Sequence, residues 1–159
     1  MKILIVTQYF WPENFKINDL ALELKNKGYE IDILTGIPNY PTGKIFDGYS
    51  QINIKDEVYN GINIYRTFIL LRGQNSRIRL FLNYLSFVIF GTYKILRIKK
   101  DYDAIFIYEP SPLTVAIPAI IKKKICKTPN VLWVTDLWPE SVTATIESSE
   151  ITKKLIYKL

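Results

Sequence analysis

No histidine occurs in this 159-residue chain. Ser–His and Cys–His nucleophilic catalysis, and His-ligated metal sites, are therefore excluded within these residues. The one cysteine, Cys126, has no partner for an internal disulfide and fits a reducing compartment. Glycine is scarce, with 7 residues, and none falls in the loop that follows the first apolar run, Gln8-Tyr9-Phe10-Trp11-Pro12-Glu13-Asn14-Phe15. That removes the glycine-rich dinucleotide fingerprint, and no Walker sequence occurs elsewhere. No apolar run reaches the roughly 20 residues a membrane span needs. The opening Met1-Lys2-Ile3-Leu4-Ile5-Val6 has too short an apolar core for a signal peptide and reads as a first strand. Apolar residues, by contrast, are plentiful. They make up 48% of the chain, enough for a substantial core in one domain. The net charge of +6 favours anionic partners, and 14% aromatic residues can supply a core, an interface or sugar-stacking surfaces.

Strand-like and helix-like segments alternate. Residues 3–7 form an apolar run. Ile17, Leu20, Ala21 and Leu24 then recur at helical spacing behind Asn14 or Asn18 as a cap, and Gly28 ends the helix. Residues 30–35 read as a second strand, and residues 36–50 as a long Gly-, Pro- and Asn-rich loop of the kind that often carries function. Asn60-Gly61 within 58–68 signals a hairpin. Residues 76–98 predict a long helix, 103–108 a strand, 112–124 a helix, 131–135 a strand and 151–159 a further helix. The pattern predicts an α/β domain: a parallel sheet in a three-layer arrangement with helices on both faces. Right-handed crossovers would bring residues 8–14, 108–111 and 136–140 to one rim.

The stretch 131–141, VLWVTDLWPES, ends a buried strand on Asp136, with Pro139 in the first turn of the next helix. Open α/β sheets place ligands at such strand ends. Asp136 and Glu140 are also residue types that serve as a helix cap and a first-turn carboxylate. In the loop after the first strand, Glu13 and Asn14 lie among aromatics, a set suited to hydroxyl recognition and sugar stacking, although Tyr9, Phe10 and Trp11 would equally suit a core. In residues 35–44, Asn39, Tyr40 and Lys44 accompany prolines that stiffen the loop, and Lys44 would either meet a pyrophosphate or be a solvated lysine of a surface loop.

Together these residues resemble a known family. Residues 9–49, YFWPENFKINDLALELKNKGYEIDILTGIPNYPTGKIFDGY, with IYEPSPLTVAIPA at 107–119 and VLWVTDLWPES at 131–141, closely resemble the amino-terminal half of bacterial GT-B glycosyltransferases. These belong to glycosyltransferase family 4, in the branch that builds capsule, O-antigen and colanic-acid units, with fucosaminyl- and colanic-acid-type transferases nearest. The resemblance implies one half of a GT-B fold, a Rossmann-like acceptor-binding domain over 1–159, with the donor-binding domain absent from this sequence. It implies a retaining hexosyl transferase, acting from a nucleotide-sugar donor of the UDP-sugar type onto a lipid-linked saccharide acceptor at the cytoplasmic side of a membrane. No cofactor and no metal is expected in the chain itself. Asp136 would orient the acceptor hydroxyl or stabilise charge on the sugar. Glu109 would take the place of the family's rim histidine, which is missing here. Glu13, Asn14, Asn39, Tyr40, Lys44, Trp138 and Glu140 would bind acceptor. The family's double glycine after the first strand is replaced by Glu13-Asn14. The chain alone would be inactive; the alternative is a non-catalytic module that pairs with a separate donor-domain subunit.

Within 76–98, Arg79, Asn83, Ser86, Lys94 and Arg97 fall on a narrow polar stripe, and apolar residues cover nearly everything else. Phe81, Tyr84 and Phe87, with Arg77, Arg79 and Lys94, are the residues that would lie in a membrane interface as a peripheral contact. The alternative is a helix buried between the sheet and the missing domain. Nucleic acid is not an expected partner, because no basic cluster is interleaved with a nucleic-acid motif. The run Lys122–Lys124 with Lys127 reads as a solvated helix end.

Overall fold

The computed structural model describes residues 1–72, 76–110 and 112–135. In chain order these form β1 (Lys2–Val6), α1 (Lys16–Asn26), β2 (Glu30–Gly36), β3 (Glu57–Tyr59), β4 (Ile62–Thr67), α2 (Arg77–Arg97), β5 (Ala104–Glu109), α3 (Ile117–Cys126) and β6 (Asn130–Val134). A 3-10 turn at Leu113–Ala116 leads into α3, so the helix expected over 112–124 begins later and runs further. The expected helix at 151–159 lies outside the described residues.

The strands form one six-stranded sheet in the order β3-β4-β2-β1-β5-β6. All neighbours are parallel except β3 and β4. This mostly parallel α/β sheet is compatible with a Rossmann-like fold. Because β1 lies between β2 and β5, both of its pleat faces must be apolar, and Leu4, Ile5 and Val6 are fully buried. Successive strand side chains point to opposite faces. Leu4 and Val6 accordingly join Phe87 and Ile95 of α2 and Ala119 of α3, whereas Ile3 and Ile5 join Ile17 and Ala21 of α1. The antiparallel exception follows from its turn. Asn60 and Gly61 carry φ of 48° and 75°, the positive pair that a two-residue hairpin turn requires.

Helix ends follow local chemistry. The cap of α2 is Ser76, whose Oγ accepts from the Arg79 N–H at 3.3 Å. At α1 the expected asparagine cap does not form. Phe15 occupies the cap position with no side-chain bond. Asn18 lies inside the helix and faces back onto the preceding loop: its Oδ1 accepts from Trp11 N at 3.2 Å and its Nδ2 donates to Glu13 O at 2.7 Å. Asparagine thus fixes the loop rather than the helix end.

At the amino-terminal edge of the sheet, Asp32 of β2 is buried yet fully used. Its carboxylate accepts from Asn63 Nδ2 at 2.7 Å, Lys100 Nζ at 2.8 Å and Tyr102 OH at 2.7 Å. Burial pushes the carboxyl up, but the bonds from Lys100, Tyr102 and Asn63 outweigh it and hold Asp32 below the usual aspartate range. A lowered acid stabilises the fold above its unfolded value and loses that contribution as pH falls through the folded one. Asp32→Asn should therefore cost about 2 kcal/mol at neutral pH. It should also flatten the loss of stability below the ordinary aspartate range, as chemical melts over an acid series would report. An acid limb unchanged in the variant would remove Asp32 from that role.

Candidate functional site

The direction of chain travel across the sheet reverses between β1 and β5, since β2 and β4 lie on one side of β1 and β5 and β6 on the other. Open α/β sheets bind ligands outside the carboxyl ends of the strands at such a switch point. The loops meeting there follow β1 and β5, and the expectation that the ends of β1, β5 and β6 share a rim is met by their adjacency.

The loop after β1 is held from beneath. Gln8 is buried; its carbonyl accepts from Thr35 Oγ1 and Gly36 N, both at 3.1 Å, and its amide donates to Asn83 Oδ1 of α2 at 2.6 Å. Gly36 is needed at this crossing, because a Cβ there would stand 2.9 Å from Ile69 Cδ1 and 3.1 Å from the Gln8 carbonyl. Glu13 is also buried. Its Oε1 accepts from the N–H groups of Asn39 and Tyr40, both at 2.7 Å, and its Oε2 from Phe10 N at 3.3 Å. Glu13 therefore joins the loop after β1 to the loop after β2. It faces backbone rather than an open surface, which differs from its expected part in holding acceptor. Burial pushes its carboxyl up to about 7, against the pull of the Tyr40, Asn39 and Phe10 N–H groups and of Arg66.

On top of this clamp lies an aromatic cluster. Tyr9 stacks on Phe15 with centroids 5.2 Å apart and planes 7° apart, and Tyr40 packs against both at 5.4 and 5.2 Å. The Arg72 guanidinium sits over Tyr40, 5.2 Å from its centroid. Tyr9 is buried and its hydroxyl is driven well above the ordinary tyrosine range, chiefly by burial. Tyr40, Asn14 and Lys44 are exposed. Asn39 is buried; its Nδ2 donates to Ile37 O at 2.9 Å, and its Oδ1 has no partner among the described residues. Glu109 ends β5 fully buried, and its carbonyl accepts from Thr135 N and Oγ1 at 3.1 and 2.6 Å. The structure thus brings Glu13, Asn14, Asn39 and Tyr40 together. Asp136, Trp138 and Glu140 lie outside the described residues.

Arg66 was not singled out from sequence. It is buried on β4, and its Nη1 donates to Gly36 O at 3.0 Å, its Nε and Nη2 to Glu57 Oε1 at 2.8 and 2.5 Å, and its Nη2 also to Trp11 O. Tyr49 covers the guanidinium at 5.2 Å and gives its hydroxyl to Glu57 at 3.2 Å. A cavity of about 460 Å³ opens beside this group, lined by Tyr49, Ser50, Asn53, Lys55 and Glu57 among others. The available signal was an arginine at i+2 and i+4 from Ile64 and Ile62, on the strand face that those buried isoleucines define.

The middle of the polar stripe of α2 turns inward, while Arg79 and Arg97 at its ends stay exposed. Asn83 and Ser86 are buried, with Asn83 Nδ2 donating to Leu70 O, Ser86 Oγ accepting from Leu70 N at 2.8 Å and the Ser86 hydroxyl donating to Asn83 O at 2.7 Å. Phe87 is fully buried in the core, so it is unavailable to a membrane interface, contrary to expectation. Lys94 also departs from that set, since it pairs with Asp56 at 2.8 Å. Tyr84 is half-buried, while Phe81, Arg77 and Arg79 are exposed. Among the described residues no helix is long and apolar enough to cross a membrane. No protein-family model matches this chain, and no curated protein matches it.

Proposed function

We propose that this domain binds the saccharide acceptor of a retaining glycosyltransferase, and that a donor-binding domain outside residues 1–159 supplies the nucleotide-sugar. The observation that carries this reading is the aromatic cluster of Tyr9, Phe15 and Tyr40 beside the switch point of a parallel sheet. The exposed part of the Tyr40 ring, beside the Arg72 guanidinium, offers a packing surface for a sugar, and the exposed Asn14 and Lys44 offer a hydroxyl partner and a cation in the loops after β1 and β2. A loop without glycine favours this over direct phosphate cradling. Asp136 and Glu109 are the carboxylates proposed to act at the reacting hydroxyl, and Trp138 and Glu140 are proposed to bind acceptor. Retaining transfer needs no protein base if the departing phosphate takes the acceptor proton, so the domain contributes positioning and electrostatics.

Titrating water-soluble oligosaccharides into the chain, followed by amide chemical shifts, tests this. Shifts clustered on residues 9–15 and 39–44, with affinity reduced about 10-fold in Tyr40→Ala, are expected. The chain alone should not turn over nucleotide-sugars. Robust transfer by these residues alone, or saccharide binding indifferent to Tyr40→Ala, would overturn the reading.

A further inference from the structure

The cavity beside Arg66 has a lining that selects among ligands. It is formed by the loop after β2, by β3 and by β4, and its volume of about 460 Å³ falls in the range of small-molecule sites. The charges that line it are nearly all spent. Glu57 holds Arg66, and Asp56 holds Lys94 at 2.8 Å. Lys55 alone has no ion pair among the described residues, and it is exposed. An anion would therefore find one unspent cation, screened by water, and charge gives it little hold. An apolar ligand would cover polar groups without satisfying them. The Asn53 amide makes no hydrogen bond among the described residues, and Glu57 Oε2 accepts only from the Tyr49 hydroxyl, at 3.2 Å. Spare donors and acceptors beside the apolar walls of Ile37 and Ile54 match a ring with hydroxyls at its edge and C–H groups on its faces.

We propose that this cavity holds a neutral sugar unit of the acceptor other than the unit packed on Tyr40, so that the acceptor is an oligosaccharide of at least two units. Both places lie on the same rim. Arg66 Nη1 reaches the carbonyl of Gly36, the last residue of β2, which sets the cavity at the carboxyl end of the sheet. Both places also share one loop. Ile37 and Tyr49 line the cavity, and Tyr40 lies between them in the chain. That loop is closed on itself, with Gly43 N donating to Asn39 O at 2.7 Å and Phe46 N to Pro38 O at 3.2 Å. Asn39 Nδ2 in turn donates to the Ile37 carbonyl at 2.9 Å, which joins the cavity wall to the residue before Tyr40. A reaction that joins sugars must then precede this one, to build the acceptor. The choice of a sugar as ligand rests on the acceptor-binding reading; the spare hydrogen-bonding capacity of the cavity does not.

Amide chemical shifts of the full chain, titrated with mono-, di- and trisaccharides of glucose and of N-acetylglucosamine and with uridine monophosphate as an anion, test it. Trisaccharides should shift residues 48–57 as well as 39–44, and should bind at least about 10-fold more tightly than monosaccharides. Asn53 is exposed, and its amide serves no contact of the fold. Asn53→Ala should therefore weaken trisaccharide binding about 5-fold and leave monosaccharide binding and the thermal melt unchanged. Asn53→Trp, which sets an indole in the lining, should weaken it at least as much. Trisaccharide shifts confined to 9–15 and 39–44 would overturn the second site and leave the acceptor reading standing. Shifts at 48–57 from uridine monophosphate and from no saccharide would overturn the ligand class. Equal affinity for mono- and trisaccharides, or full trisaccharide binding by Asn53→Trp, would also overturn the proposal. No saccharide shift in either region would overturn the acceptor reading and this one together.

Discussion

Arg66→Met is expected to lower the stability of the fold by about 3–5 kcal/mol, because it takes a fully buried guanidinium away from two backbone carbonyls and a half-buried carboxylate, each such loss costing about 1–3 kcal/mol. The substitution keeps most of the side-chain volume, so packing is not what it tests. It strands the Gly36 and Trp11 carbonyls and leaves Glu57 without the cation it faces at 2.5 Å. Arg66→Lys should be nearly as damaging. An ammonium is a point charge, whereas here one planar fork reaches β2, β3 and the loop after β1 together. Urea unfolding of Arg66→Met, Glu57→Gln and the double variant, read as a double-mutant cycle, should give a coupling smaller than the Arg66→Met cost, the remainder belonging to the Gly36 and Trp11 carbonyls. Hydrogen exchange should quicken at residues 11–13 and 36–40, because the guanidinium is what ties those backbones to the sheet. A loss below about 1 kcal/mol in Arg66→Met would show that the carbonyls find other donors and that the fork is dispensable.

That residue also shows where sequence reading stops. Most strands of this sheet were legible from their apolar pattern: residues 30–35 alternate, residues 3–7 do not, and Asn60-Gly61 admits few backbone conformations. Strand β6 was legible as a strand but not in its burial, since Val131, Leu132 and Trp133 are exposed at the sheet edge. Topology followed from alternation of strands and helices. Helix α2 was legible as a helix but not in its orientation. A stripe of Asn83 and Ser86 among apolar residues has the same period whichever side faces the core, and the choice was made by Gln8 and the Leu70 backbone, partners distant in sequence. The same holds at Glu13 and Asn18. Both read as a surface ligand and a cap by residue type, and both are spent instead on backbone groups that only the folded loops bring within reach. The aromatic cluster was half legible: Tyr9 and Tyr40 each stood out, but nothing local says that Phe15 stacks on one and touches the other.

Glu13→Ala should cost roughly 4 kcal/mol, since it leaves the buried N–H groups of Asn39, Tyr40 and Phe10 without an acceptor and each such loss is worth about 1–3 kcal/mol. The pH dependence is the sharper test. In the unfolded chain the Glu13 carboxyl titrates near its ordinary 4.5; in the folded protein burial raises it to about 7. Below the lower value both states hold the proton, and the stability owed to this group is fully present. As pH rises through the window the unfolded chain releases the proton and the folded chain keeps it, so stability falls with increasing pH by about 3 kcal/mol before levelling above the folded value. Asp32 works in the opposite sense and below the ordinary aspartate range, so the two effects occupy separate windows. Glu13→Gln keeps a carbonyl for Asn39 and Tyr40 but turns an amide donor toward Phe10 N; it should be less stable than the parent at low pH and flat across the window. Arg66→Met removes a charge that draws the Glu13 carboxyl down, so its slope should extend to higher pH. Melts of the three proteins between pH 4 and 8 decide the matter: a flat parent curve, or a slope that survives in Glu13→Gln, would assign the proton elsewhere. Because this carboxyl joins the loop bearing Tyr9 to the loop bearing Tyr40, saccharide affinity should decline across the same window, which links a buried proton to the geometry of the stacking face.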